Sequence, residues 1–272
     1  NYLLGKALAI GDRKADGKGR KRDKLMDLFL DKTLRPKVQQ RFGGRMKTMV
    51  SGGAPLNPEI GNFFQSLGLT LLQGYGQTES GPIIACNRPR TGLKMDTVGP
   101  PMVDTEVRIA ADGEILVRGE LVMHGYWRNQ EETDKVLKDG WLHTGDLGTM
   151  DAQGFVRVTG RVKDMIISGA ENVYSVEVEN VISTHPAVRE VAVIGIPHEL
   201  WGEQVHAIVV PREDGESVDG DAILDFCRGK IAGYKVPKSL DFAEGPLPTT
   251  GPGKIAKRRL RDPYWENSER QI

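Results

Sequence analysis

Residues 74–79 read Gly-Tyr-Gly-Gln-Thr-Glu, so a hydroxyl and a carboxylate follow closely on two glycines that flank an aromatic ring. Gly74 and Gly76 let the backbone turn sharply and let a ligand approach closely. Thr78 and Glu79, just beyond such a turn, could receive a phosphate and its metal ion, because a hard carboxylate oxygen suits a hard cation. A G-x-G by itself marks no more than a loop between a strand and the next element. Four other stretches must share one explanation with it: "SGGAPL" (51–56), "WLHTGDL" (141–147), "GRVKDMIISGAENV" (160–173) and "PTTGPGKIAKRRL" (248–260). Ser51 is not a hydrolase nucleophile, since that elbow needs G-x-S-x-G and Met49 fills the first glycine position. A lone Thr144-Gly145-Asp146 reads as a turn. Lys254, with Lys257, Arg258 and Arg259 close behind, reads locally as part of a solvated basic tail.

The elements that position these stretches follow from apolar spacing. Met46–Val50 reads as a strand feeding the tight turn at Ser51-Gly52-Gly53. Pro58 opens a helix with Ile60, Phe63, Phe64 and Leu67 on one face, and Leu69–Leu72 is again strand-like. Strand, turn, helix, strand is the grammar of an α/β layer. Upstream, Leu25, Leu28 and Phe29 recur at helical spacing, and Pro36 marks a break or a fresh helix start. Residues 11–24, dense in charge and glycine, read as a solvated mobile loop. From about residue 98 the rhythm changes. "TEVRIAADGEILVRG" is two alternating strands around Asp112-Gly113, a hairpin signal, and "GFVRVTGR" (154–161) is another strand. After Lys163 a compact α+β pattern follows. "DMIISG" is a strand, and Val178, Val181 and Ile182 mark a helix. "EVAVIGIP" and "EQVHAIVVP" are strands, Ile223, Phe226, Cys227 and Ile231 mark a second helix, and "SLDFAE" is a last strand. Glycines and charges cluster near 160–165, which sets a boundary between residues 1–162 and 163–272.

Composition bounds the function class. The chain has 272 residues, 39% hydrophobic and 27% charged, an ordinary globular balance. Lys+Arg and Asp+Glu are both 37, so bulk charge argues against nucleic acid or an anionic membrane as the partner. Cys86 and Cys227 fit no metal or redox spacing and read as reduced core residues of a cytoplasmic protein. No run is long enough to cross a bilayer, which leaves only peripheral membrane contact open. The chain starts Asn1-Tyr2-Leu3 without Met and reads as cut from something longer.

Taken together and in this order, the five stretches, with "GEILVRGELVMHGYWRNQEET" (113–133), resemble the adenylate-forming superfamily, specifically the acyl-CoA synthetases (fatty-acid–CoA ligases). The resemblance implies the later part of a large N-terminal domain, α/β layers plus a small β subdomain, followed by a small mobile α+β C-terminal domain. It implies ATP, Mg²⁺ and coenzyme A as partners of a fatty or other carboxylic acid. The acid would be activated to acyl-AMP and then transferred to the thiol. Tyr75 would stack on adenine, beside Gly74 and Gly76, with Gly52, Gly53 and Ala54 as the backbone edge along the ring. Thr78 would hydrogen-bond the α-phosphate and Glu79 would hold the metal. Asp146 matches an aspartate that accepts both ribose hydroxyls, and Arg161 a partner of the ribose or phosphates. Lys163 stands at the hinge position, Gly169 would line the coenzyme A channel, and Lys254 would bridge the acyl carboxylate and the α-phosphate. Pro248 before Gly253-Lys254 resembles the setting in which such lysines are acetylated in related ligases, which would remove that charge.

Some positions depart from the family pattern. Ser175 stands where a proline is common, with an expected effect only on how a helix begins. Pro252 precedes the Gly-Lys pair and would stiffen the loop. The glycine-rich loop that cradles the β- and γ-phosphates should lie upstream of residue 1, so this fragment alone is expected to be inactive. An aryl-CoA ligase and a peptide-synthetase adenylation domain are the neighbouring readings, the latter disfavoured by the absence of a carrier domain after Lys254. A fragment that only binds a nucleotide or a partner is the alternative from another class.

Overall fold

The computed structural model describes residues 2–15, 18–54, 56–212, 219–250 and 253–266. Pro252 and the expected stiffening of its loop lie outside the described residues, as do Asn1, Pro55 and, within the charged segment, Asp16 and Gly17. The chain divides into two compact units. The first comprises Asn1–Ile109, Leu116–Thr144 and Thr149–Arg157, and the second Ala110–Ile115, Gly145–Gly148 and Val158–Ile272.

The first unit opens with helices α1 (Tyr2–Ala15), α2 (Lys21–Thr33) and α3 (Arg35–Arg41). Most of the segment read as a mobile loop is therefore helical. Ion pairs supply the reason. Arg13 reaches Asp23 at 2.6 Å, and Asp23 also accepts the Arg20 backbone N–H at 2.9 Å, closing the start of α2. These bonds, led by the one from Arg13, hold the Asp23 carboxyl down at about 2. Lys14 and Arg35 both pair with Asp27. Leu25, Leu28 and Phe29, read at helical spacing, lie on α2 but are exposed, while Asp23, Asp27 and Leu30 are buried. Leu30 packs with Ala7, Ile10 and Leu67. The paired aspartates, not the apolar triple, occupy the inner face.

Strand β1 (Met49–Ser51), helix α4 (Pro58–Ser66) and strand β2 (Leu71–Tyr75) follow, with β3 (Ala85–Cys86) completing a small sheet in the order β1-β2-β3. β1 and β2 are parallel, as a helical crossover requires. Asn57 caps α4 by accepting the Glu59 N–H at 2.8 Å, and Pro58 fills its first turn. Of the four residues read onto one face of it, Ile60 and Phe63 are exposed, Phe64 is half-buried and Leu67 is buried. A second sheet contains β4 (Thr105–Ile109), β5 (Glu114–Gly119), β6 (Leu137–Lys138), β7 (Trp141–Met150) and β8 (Val156–Arg161), with helix α5 (Gln130–Val136) leading into β6. Its order is β4-β5-β7-β6, with β8 beside β7.

The second unit carries β9 (Met165–Ser168), β10 (Glu171–Tyr174), α6 (Ser175–Ser183), β11 (Val188–His198), β12 (Gly202–Pro211), α7 (Gly220–Cys227), β13 (Ser239–Phe242) and α8 (Lys257–Trp265). Its sheet runs β10-β9-β12-β11, with β13 parallel to β12. Period-two alternation gives β11 and β12 two buried faces. Val191, Val193, Val205, Ala207 and Val209 pack with Val178, Ile182 and Ile223 of α6 and α7. Ala192, Ile194, Ile208 and Val210 pack with Leu260 and Tyr264 of α8. Ile231, read as part of the second helix, lies beyond the end of α7, where it bridges to Arg228 and packs on the first of these cores.

Candidate functional site

In the first unit, the parallel register Ser51↔Gln73 sets Gly52 and Gly74 side by side at the carboxyl ends of β1 and β2. The approach is close: a Cβ on Gly52 would lie 3.3 Å from the Gly74 carbonyl oxygen. Gly52, Gly53 and Ala54 form an exposed edge, and Gly74 and Tyr75 lie half-buried next to it. The carboxyl end of parallel strands is where open α/β sheets bind ligands. Gly76 is needed sterically, because a Cβ there would run into the Pro82 carbonyl. The chain then enters a 3-10 turn, Thr78–Ser80. The buried Ser80 closes it, donating its hydroxyl to the Gln77 carbonyl at 2.9 Å and accepting the Gln77 N–H at 3.1 Å. Thr78 is left exposed and Glu79 half-buried.

Glu79 does not stand alone. The Tyr126 hydroxyl donates to Glu79 Oε1 at 2.8 Å, and the Tyr126 N–H is itself held by Thr133 Oγ1 at 2.9 Å. Burial, then the Glu79 carboxylate, raises the Tyr126 ionisation above its ordinary range, which keeps the hydroxyl a donor. Among the described residues no three His, Cys, Asp or Glu side chains gather to hold a metal. A single oriented carboxylate fits a small hard cation that takes its other ligands from phosphates and water.

The second unit holds the remaining residues. Thr144-Gly145-Asp146, read locally as a turn, lies within strand β7, where Gly145 adopts φ +69° and its N–H donates to Glu114 Oε1 at 2.8 Å beside Asp146. Asp146 pairs with Arg161, Oδ1 to Nε at 3.4 Å. Lys163 sits in a short 3-10 turn, Val162–Asp164, and its carbonyl accepts from Arg261 of α8 at 3.3 Å. Gly169, at φ +59° between β9 and β10, donates its N–H to the Trp201 carbonyl at 3.0 Å. A Cβ there would meet the Trp201 ring at 3.5 Å, an ordinary contact, so the backbone conformation is what favours glycine. Lys254 accepts the Thr250 N–H on its carbonyl at 2.7 Å. Its ammonium has no hydrogen-bond or ion-pair partner among the described residues.

Sequence reasoning passed over three side chains here. Tyr126 lies 47 positions from Glu79, and no spacing rule joins them. Lys257 was grouped with an exposed basic tail, yet its side chain is only 14% exposed and pairs with Glu179 at 2.8 Å. Ser175, expected only to shape the start of α6, is buried and accepts from Lys257 Nζ at 2.7 Å. A glutamate on α6, i+4 from Ser175, was the one available signal.

Comparison with known proteins adds an independent line. The AMP-binding enzyme family matches residues 23–127, and the AMP-binding enzyme C-terminal domain matches residues 177–254. A feruloyl-CoA synthase from Amycolatopsis sp is 44% identical over 227 residues, covering 79% of this chain and 46% of that enzyme. A long-chain-fatty-acid–CoA ligase of Escherichia coli O157:H7 is 40% identical over 235 residues, 82% of this chain and 41% of that ligase. ATP-bound MatB from Rhodopseudomonas palustris superposes with a TM-score of 0.76 at 33% identity, over 93% of this chain and 55% of that one. The anthranilate CoA ligase AuaEII, in complex with anthranoyl-AMP, gives 0.73 at 30% identity, over 80% and 44%. The chain thus spans about half the length of the relatives it matches. No helix among the described residues is long and apolar enough to cross a membrane. Two family domains in their proper order, on a fold shared with such ligases, place the chain in the adenylate-forming (AMP-binding) enzyme superfamily.

Proposed function

We propose that the chain is the C-terminal portion of an AMP-forming acid–thiol ligase, an acyl-CoA synthetase of fatty acid metabolism. Its substrate is an aliphatic acid of medium to long chain, its cofactors are ATP, Mg²⁺ and coenzyme A, and its setting is the reducing cytoplasm that two free thiols suit. Residues 1–162 are the later part of the ATP- and acyl-binding domain, and 163–272 are the mobile lid, with Lys163 as hinge. The observation that carries the reading is the shared end of β1 and β2. There a backbone edge of Gly52 and Gly53, with Tyr75 beside it, leads straight to Thr78 and the oriented Glu79.

Each residue then has a task. Tyr75 stacks on adenine against the flat edge of Gly52, Gly53 and Ala54. Asp146 accepts the ribose hydroxyls, with Arg161 at its side. Thr78 donates to the α-phosphate. Lys254 bridges the α-phosphate and the acyl carboxylate and offsets the repulsion of two anions, a task that suits a compact charge on a flexible stem. An acyl oxygen attacks the α-phosphorus, and the bond to the β-phosphate oxygen breaks to release pyrophosphate. The thiol sulfur of coenzyme A then attacks the acyl carbon, AMP leaves, and Gly169 lines the thiol's approach. Glu79 would hold Mg²⁺, which supplies charge neutralisation on the phosphate oxygens.

Within Ser80-Gly81-Pro82-Ile83-Ile84 the exposed Gly81, Pro82 and Ile83 offer small, uncharged, apolar surface suited to an aliphatic or aryl acyl group, while Ser80 and Ile84 are buried. The 44% identity to a feruloyl-CoA synthase supports an aryl acid as the second reading. Carboxylate-dependent ATP–pyrophosphate exchange on the uninterrupted parent chain decides between them. Exchange rising with fatty-acid length supports the first. Exchange confined to ferulate and benzoates overturns it in favour of the second, and none with any carboxylate rejects the ligase.

A further inference from the structure

We infer that Lys257 is a positioning residue for Lys254, locked in place by the inward-facing pair Glu179 and Ser175. The inference rests on the task assigned above to Lys254. The described backbone around Lys254 is tied down: the Gly253 N–H donates to the Thr250 carbonyl at 2.8 Å and the Ala256 N–H to the Pro248 carbonyl at 2.7 Å. Its exit runs directly into α8, whose first residue is Lys257. The two lysines are three positions apart, a reach of roughly 10 Å at most. Any rotation at the start of α8 is therefore passed to Lys254.

The anchor at that point is built from groups fixed on other elements. Lys257 Nζ lies 2.7 Å from Ser175 Oγ and 2.8 Å from Glu179 Oε1, at the first and second turns of α6. The same Glu179 oxygen accepts the Val193 N–H of β11 at 2.7 Å, so the carboxylate is held by the sheet as well. Burial acts to raise the Glu179 ionisation and Lys257 opposes it, as a charge enclosed with its partner should. The neighbouring Arg258 side chain, by contrast, is 86% exposed. One turn beyond Lys257, Arg261 donates to the Lys163 carbonyl at 3.3 Å, and Trp265 Nε1 donates to the Gly195 carbonyl at 3.0 Å. Positions 257, 261 and 265 recur every four residues along one side of the helix. α8 is thus a strut pinned along its length. The pin nearest Lys254 is an ion pair of fixed direction, which a merely apolar contact would not supply.

The test uses the uninterrupted parent enzyme and three readings: thermal unfolding, carboxylate-dependent ATP–pyrophosphate exchange, and thiolysis of a supplied acyl-adenylate. Lys257→Met is expected to lower exchange by about tenfold to a hundredfold, the scale of a small misplacement of a reacting group. Thiolysis should stay near its starting rate, and Lys257→Arg should recover most of the exchange. If Lys257→Met fails to fold, the apolar pair Glu179→Leu with Lys257→Met replaces it, since such pairs commonly restore stability. It is expected to fold and still lose exchange selectively. Equal loss in both half-reactions, or undiminished exchange in a folded variant, overturns the inference. Lys254→Ala is run alongside. If it cuts exchange while the Lys257 variants do not, only the positioning role fails; if it leaves exchange intact, the task given to Lys254 fails and this inference with it.

Discussion

The Tyr126 hydroxyl donates to one carboxylate oxygen of Glu79 at 2.8 Å, which fixes the direction in which Glu79 can offer the other. Groups that orient a metal-binding carboxylate typically change affinity tenfold or more when removed. Tyr126→Phe should therefore raise the Mg²⁺ concentration needed for half-maximal pyrophosphate exchange by about tenfold. Thiolysis of a supplied acyl-adenylate should be unaffected. An unchanged Mg²⁺ titration would remove Tyr126 from the site.

Lys254→Ala should slow adenylation by about two orders of magnitude, the scale for losing a charge that stabilises a transition state. Thiolysis should survive much better. The two half-reactions are measured separately, and a parallel fall in both would count against the bridging role of Lys254.

Gly76→Ala tests the close approach of two backbones. The new Cβ would overlap the Pro82 carbonyl, so the turn leading to Thr78 and Glu79 must shift. Overpacking of this kind costs about 1–3 kcal/mol. The expected result is a lower unfolding midpoint together with weaker AMP binding by calorimetry. A variant with an unchanged midpoint and full binding would show that the turn has room to spare.

His206 makes the second unit sensitive to acid. Its Nδ1 lies 2.7 Å from Ser239 Oγ, and its Nε2 lies 3.1 Å from the Tyr264 hydroxyl and 3.5 Å from Asp241. Burial holds the imidazole below its ordinary range, with Asp241 pulling the other way. On acidification the unfolded chain takes up this proton first. The His206 contribution is therefore complete above about pH 6.5 and is lost as pH falls through the lower folded value. Calorimetric scans should show the wild type losing more stability than His206→Gln on going from neutral to acidic buffer. Equal losses would sink the assignment.

Tyr264 sets the alkaline side. Burial, and then Asp241, which accepts its hydroxyl at 2.6 Å, push its ionisation up to about 12. Its contribution is complete below about pH 10 and lost as pH rises through that value toward 12. Tyr264→Phe should flatten this limb in the same scans, and a limb of unchanged steepness would assign it to other groups.

Much of this protein could be read in one dimension because the determining interactions are local. Asn57-Pro58 writes the start of α4, Asp112-Gly113 the turn between β4 and β5, and period-two runs write β11 and β12, since caps, turns and pleats depend on neighbours a few residues away. The glycines at 52, 74 and 76 were legible for the same reason. That Gly52 lies against Gly74 came only from the register that pairs β1 with β2. Periodicity gave the helical spacing in α2 and α4 but says which residues share a side and not which side is covered. Arg13, Lys14 and Arg35 hold Asp23 and Asp27 of α2 on its covered side beside Leu30, leaving Leu25 and Leu28 exposed. The sequence by itself therefore determined the family and the caps, turns and core strands that local patterns write, but not α1, α5 or α8. Only the tertiary structure decided that Tyr126 steers Glu79 and that Lys257, alone among three neighbouring cations, is drawn into an enclosed ion pair. Those contacts join residues 47 and 78 positions apart, and their energy comes from excluding water around paired polar groups, which no local pattern encodes.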